Sequence, residues 1–174
     1  MRRTVLLVGL PGSGKSSVGP IIAESLGTWF VDVDSLIEER FGAPVTEIFL
    51  RHGEATFRAA EAETVTEALE QRPEPGILAP GGGWAAQTGA LTSVAGLALT
   101  VYLETSAEEA VGRIAGSRHR PLLPDADRST AMRELLAARE PYYGLSEATI
   151  LTDGKDIPGV AAAVVELART RAGW

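Results

Sequence analysis

The chain has 174 residues, 45% of them hydrophobic, and 16 Lys and Arg against 23 Asp and Glu leave a net charge of -7. That length suits one globular domain with a core of its own, and the acidic balance argues against general affinity for nucleic acid or anionic membranes, so any anion site has to be local. There is no cysteine, which excludes disulfides, thiolate metal sites and cysteine nucleophiles and makes a reducing cytoplasm the expected setting.

In chain order, short apolar runs at 4–10 (TVLLVGL), 29–33 (WFVDV), 76–79 (GILA), 97–103 (LALTVYL) and 148–151 (ATIL) read as strands buried on both faces. Helical patterns lie between them at 15–26, 35–40, 54–70, 107–115, 129–139 and 160–172. Strand and helix in alternation imply an α/β fold, a parallel sheet flanked by helices, with ligands gathered beyond the carboxyl ends of the strands. Nothing splits the chain, so a single domain over 1–174 is expected, and 117–128 (SRHRPLLPDADR) is the best candidate for a mobile loop. The apolar run behind the two N-terminal arginines is too short for a signal peptide, and no stretch approaches a membrane span.

The first strand runs into GLPGSGKS, which fits G-x-x-x-x-G-K-[ST] and stands after a strand and before a helix. Such a loop is a phosphate cradle: the backbone N–H groups from Gly12, Ser13, Gly14, Lys15, Ser16 and Ser17 converge on phosphate oxygens at a helix N-terminus. Lys15 reaches the outer phosphates, and the Ser16 hydroxyl can ligate Mg²⁺. The second strand ends in FVDVDSLIEE, and two-residue alternation would put Asp32 and Asp34 on one face at its carboxyl end. Asp32 is then a candidate to hold Mg²⁺ through water and Asp34 to face an acceptor hydroxyl. Against that stands a role for Asp34 as the cap of the helix starting near Ser35.

The segments GLPGSGKSSVG, FVDVDSLIE, EIFLRHGEATFRAAEAE, GGG, RHRPLL and AAREPYY stand in the order and approximate spacing of the shikimate kinases, small members of the nucleoside-monophosphate kinase group. The chain resembles that family from Thr4 to about Gly159. The resemblance implies a three-layer P-loop kinase fold with a five-stranded parallel sheet in the order 2-3-1-4-5, a substrate-binding region at about 34–70 and a mobile lid at about 116–128. It also implies transfer of the ATP γ-phosphoryl group to the 3-hydroxyl of shikimate, with Mg²⁺ as cofactor and ATP and shikimate as the partners of a monomer.

Carried over by position, the resemblance places shikimate among Asp34, Arg58, Gly81, Gly82, Gly83 and Arg139. The chemistry agrees, because a carboxylate bearing three hydroxyls needs cations at one end and an acceptor at the other. Arg58 can also be read as one half of a helix-surface pair with Glu61, and Arg139 as an ordinary cation near a helix end before Pro141. Arg120 matches the family's lid arginine, Arg113 the position that stacks on adenine, and Lys155 with Pro158 the loop beside the base. His52, Arg118 and His119 receive no role. Two departures bear on the acceptor: Pro80 precedes the glycine run, and Trp84 follows it either as a wall of the pocket or packed beneath the loop. A kinase of another polyol or hydroxy acid, such as gluconate or a cyclitol, keeps the same chemistry. A non-catalytic nucleotide-binding or switch module is a third reading, although the guanine motif N-K-x-D is absent.

Overall fold

The computed structural model describes residues 1–115 and 125–174. Five parallel strands form one sheet in the order β2-β3-β1-β4-β5, with β1 at Thr4–Val8, β2 at Phe30–Asp32, β3 at Ile77–Ala79, β4 at Ala98–Glu104 and β5 at Ala148–Leu151. Among the described residues seven helices accompany them: α1 (Lys15–Leu26), α2 (Val33–Phe41), α3 (Val45–Glu70), α4 (Ala90–Ser93), α5 (Ala107–Ala115), α6 (Asp125–Tyr143) and α7 (Ile157–Arg171). A 3-10 turn covers Trp84–Ala86.

The alternation of side chains along β1 divides the core. Val5 and Leu7 pack with Val18 and Ile22 of α1 and Val160 and Val164 of α7, whereas Leu6 and Val8 pack with Ile37, Phe57, Val65 and Tyr143 on the other face. A sheet lying between two helical layers results, and parallel strands with both faces covered require it.

The two edge strands differ from the sequence reading. All of β1 and nearly all of β4 are buried, but β2 is half-buried throughout and β5 alternates between covered and exposed positions. Both were expected to be buried on both faces; a strand with a neighbour on one side only keeps part of its surface open. Four helices also outrun their predicted limits, α7 by starting at Ile157 instead of residue 160. α3 starts nine residues before the predicted Glu54 because the chain is helical on either side of Gly53, whose φ of 82° and ψ of 163° break the helix between two segments. α2 begins directly at Val33, and α6 continues through Pro141 to Tyr143 instead of ending at Arg139.

Candidate active site

The loop after β1 turns into α1 through Gly14, which stands at the N-cap with φ 97° and leaves the first N–H groups of the helix without side-chain caps. Lys15 is buried, and its Nζ donates to the carbonyls of Gly9 (2.8 Å) and Leu10 (2.9 Å), which hold the ammonium against the loop it serves. The Ser16 hydroxyl is hydrogen-bonded to Asp32 Oδ2, so the two residues expected at a metal ion are brought together by the ends of different elements.

Asp32 and Asp34 do not share a strand face. β2 ends at Asp32, which caps α2 by accepting from the Ser35 N–H at 3.2 Å, and Asp34 already lies in the first turn of that helix. Capping therefore falls to Asp32, and it is the turn from strand to helix that leaves both carboxylates lining one cleft.

That cleft encloses about 530 Å³ and is lined by Gly12, Ser13, Gly14, Lys15, Ser16 and Ser17 at one end, and by Asp34, Gly81 and Gly82 at the other. Arg113 and Lys155 line it as well. Arg113 is aimed by three contacts, with Nη1 on Thr152 Oγ1 and Nη2 on the Thr152 carbonyl, both at 3.1 Å, and Nε on Glu109 Oε1 at 3.2 Å. Pro158 sits in the first turn of α7 and Ile157, not Pro158, reaches the cleft wall. Arg118, His119 and Arg120 lie outside the described residues. His52 is exposed at the end of the first segment of α3 with its ring edge-on to Phe41.

The three glycines after β3 show why no side chain stands there. A Cβ on Gly81 would come within 2.6 Å of Glu61 Oε1 and 2.7 Å of Asp34 Oδ1. One on Gly82 would meet Pro11 at 2.9 Å and Arg139 Nη1 at 3.2 Å, and one on Gly83 would overlap the guanidinium of Arg58. Four ionic side chains from α2, α3 and α6 thus converge on a bare backbone, and Pro11 of the phosphate loop abuts the same residues.

Arg58 does pair with Glu61, Nη1 to Oε2 at 2.7 Å, yet the pair is no surface feature: Glu61 is fully buried. Glu54 at 3.4 Å and the faces of Phe57 and Phe49 at 5.3 and 5.8 Å further restrain the guanidinium. Burial raises the Glu61 carboxyl to about 7, with Arg58 opposing and Asp34 reinforcing the rise. Trp84 packs in the core at 3% exposure and does not line the main cleft; it lines a second cavity together with Arg58, which is likewise absent from the main cleft's lining. Tyr143, which no sequence pattern singled out beyond its place in AAREPYY, donates to the Gly82 carbonyl at 2.5 Å.

A phosphate cradle whose cleft continues to Asp34 and the glycine run, with Arg58 and Arg139 beside that run, suits transfer of a phosphoryl group between two bound molecules, the chemistry of the P-loop kinases of small molecules. The family model for shikimate kinase matches residues 11–169. A shikimate kinase from Mycobacterium avium (strain 104) is 45% identical over 153 residues, covering 88% of this chain and 85% of the relative. Among solved structures, the shikimate kinase from Acinetobacter baumannii in complex with shikimate superposes with a TM-score of 0.87 at 32% identity, over 98% of this chain and 94% of that one. The chain belongs to the shikimate kinase family. A gluconokinase from Sinorhizobium meliloti 1021, at TM-score 0.65 and 20% identity over 99% of this chain and 94% of that one, shares the fold alone.

Proposed function

We propose that the protein transfers the γ-phosphoryl group of ATP to the 3-hydroxyl of shikimate. The observation that carries this reading is the contact of the glycine run with both halves of the cleft, Gly82 against Pro11 of the phosphate loop and its neighbours against Asp34 and Arg58. Donor and acceptor would meet there, with Arg58 and Arg139 facing the acceptor carboxylate and Asp34 its hydroxyl. As the acceptor oxygen bonds to the γ-phosphorus, the bond to the β–γ bridging oxygen breaks, ADP leaves and the hydroxyl proton passes to Asp34.

Lys15 supplies positive charge to the outer phosphates, and Arg113 and Lys155 flank the base. Arg120 would add a cation at the moving phosphoryl group, a role that rests on the resemblance of RHRPLL alone. Ser16 and Asp32 form a hard oxygen pair suited to Mg²⁺, which prefers carboxylate, hydroxyl, water and phosphate oxygens. Bound with the nucleotide, the ion would neutralise phosphate charge.

Incubation with Mg-ATP and a panel containing shikimate, gluconate and neutral cyclitols, read by ADP release, tests the assignment. Shikimate should raise ADP formation far above the rate without acceptor. Turnover of another panel member alone would move the acceptor and keep the kinase; no acceptor-dependent release from any of them would support a non-catalytic nucleotide-binding module.

A further inference from the structure

Tyr143 is the largest fully buried side chain among the described residues, and the phosphoryl-transfer scheme leaves it without a task. Its hydroxyl donates to the Gly82 carbonyl across 61 positions of sequence. Its ring stacks on Tyr102 with centroids 5.0 Å apart and planes 29° from parallel. The Tyr102 hydroxyl is also buried but has no hydrogen-bond partner among the described residues. The stack therefore sets where the Tyr143 ring lies, and the hydroxyl alone makes the polar connection.

That connection falls beside a gap in the hydrogen-bond ladder of α6. Tyr143 follows Arg139 by four residues, one helical turn, so both face the glycine run. Pro141 between them has no N–H to donate to the Ala137 carbonyl, which removes a rung of the helix just beyond Arg139. Gly82, lacking a side chain, can be gripped only by its backbone, and a Cβ there would come within 2.9 Å of Pro11 and 3.2 Å of Arg139 Nη1.

We infer that Tyr143 is a positioning residue for the acceptor: by holding the Gly82 carbonyl it fixes the spacing between the glycine run and Arg139, and so sets affinity for the acceptor rather than for the nucleotide. The inference rests on reading Gly82 and Arg139 as acceptor contacts. Burial raises the phenol above its ordinary range, with Arg139 and Arg58 opposing, so the hydroxyl keeps its proton and remains a donor at any working pH.

The test is Tyr143→Phe in the full chain, which keeps the ring and its stack and removes the hydroxyl that bonds the Gly82 carbonyl and Arg139, compared with Tyr102→Phe and Arg139→Lys. Tyr143→Phe should raise KM for shikimate about three- to tenfold, the range expected from losing a hydrogen-bonding hydroxyl, with KM for ATP and kcat within about twofold of wild type. Tyr102→Phe should leave both Michaelis constants unchanged. A Tyr143→Phe enzyme with a lower Tm but an unaltered KM for shikimate would reduce Tyr143 to a packing residue and overturn the inference. An equal rise in Tyr102→Phe would overturn it too, by assigning the effect to the stack. If Arg139→Lys also leaves KM for shikimate untouched, the acceptor site itself has been misassigned; if Arg139→Lys raises it and Tyr143→Phe does not, only the positioning role fails.

Discussion

Asp32 closes β2 and caps α2 while Asp34 rides in the first turn of that helix, so two carboxylates separated by one valine are aimed by different rules. Asp32 is tied to Ser16 and the helix end; Asp34 faces Gly81 across the cleft. Asp34→Asn keeps the shape and removes the base, so turnover should fall about a hundredfold to ten-thousandfold with Mg-ATP binding retained. Asp32→Asn should instead show a metal requirement shifted to higher Mg²⁺ and partial recovery on adding it. Magnesium and shikimate titrations of both variants check this, and rescue of Asp34→Asn by Mg²⁺ would reverse the two roles. Residue types at this site were legible from the motifs, but the burial of Glu61 was not, because helical spacing to Arg58 predicts a pair without saying which face of α3 turns inward. Glu61 meets Arg58 from its own helix, Asp34 from α2 and the Gly81 backbone, and its carboxyl is raised from 4.5 to about 7 by burial. A carboxyl that holds its proton more tightly in the folded state confers stability that is complete below about 4.5 and lost as pH climbs to about 7. Relative to the non-titrating Glu61→Gln, wild type should therefore lose on the order of a few kcal/mol between pH 4.5 and 7 and level off above it. Urea unfolding of both proteins at pH 5, 6, 7 and 8 measures the gap, and a gap constant with pH would show that Glu61 does not titrate in this range.

At the scale of elements, short apolar runs and helical periodicity located all five strands within a residue or two, since burial on a parallel sheet demands that composition. What they missed were the ends. The residues before Gly53 form a helix that pattern reading omitted because its apolar face is short, with Leu50 exposed and Ile48 buried. The 3-10 turn at Trp84–Ala86 and the four-residue α4 are too brief to show periodicity at all. Gly53 itself is instructive, because a glycine in a helical run ordinarily costs stability and alanine restores it by about 1 kcal/mol. Here its φ and ψ lie in a region nearly closed to other residues, while nothing lies within 4 Å of a Cβ placed there. The penalty for Gly53→Ala is thus one of backbone and not of packing, about 1–2 kcal/mol after allowing for the stiffer unfolded chain. Equilibrium unfolding in urea gives the sign directly: destabilisation fits a broken helix, and stabilisation would mean that α3 runs straight through residue 53.

Across the whole molecule, the order β2-β3-β1-β4-β5 puts β1 at the centre, and the connection after β1 runs to one side while the one from β3 to β4 crosses to the other, which opens the crevice that the phosphate loop occupies. Strand order followed from the family resemblance and not from the strand patterns, since a set of apolar runs carries no record of which neighbours pair. The convergence of α2, α3 and α6 on the glycine run was equally invisible, because Asp34, Arg58 and Arg139 meet at the backbone of a segment far from each in sequence. One consequence can be measured on the intact chain. Ligands that bind the folded state alone stabilise it by about 2.7 kcal/mol at a hundred times Kd, and for a protein of this length that corresponds to a Tm rise of about 5–10 °C. Mg-ATP and shikimate should each produce such a shift. Because Lys15 lines the phosphate end of the cleft and Arg139 stands beside Gly82 of the glycine run, on the proposed assignment Lys15→Ala should abolish the Mg-ATP shift and retain most of the shikimate shift, and Arg139→Ala should do the opposite. Thermal scans of the three proteins with each ligand alone decide it: an Arg139→Ala protein that loses the Mg-ATP shift while keeping the one for shikimate would place the acceptor elsewhere than against the glycine run.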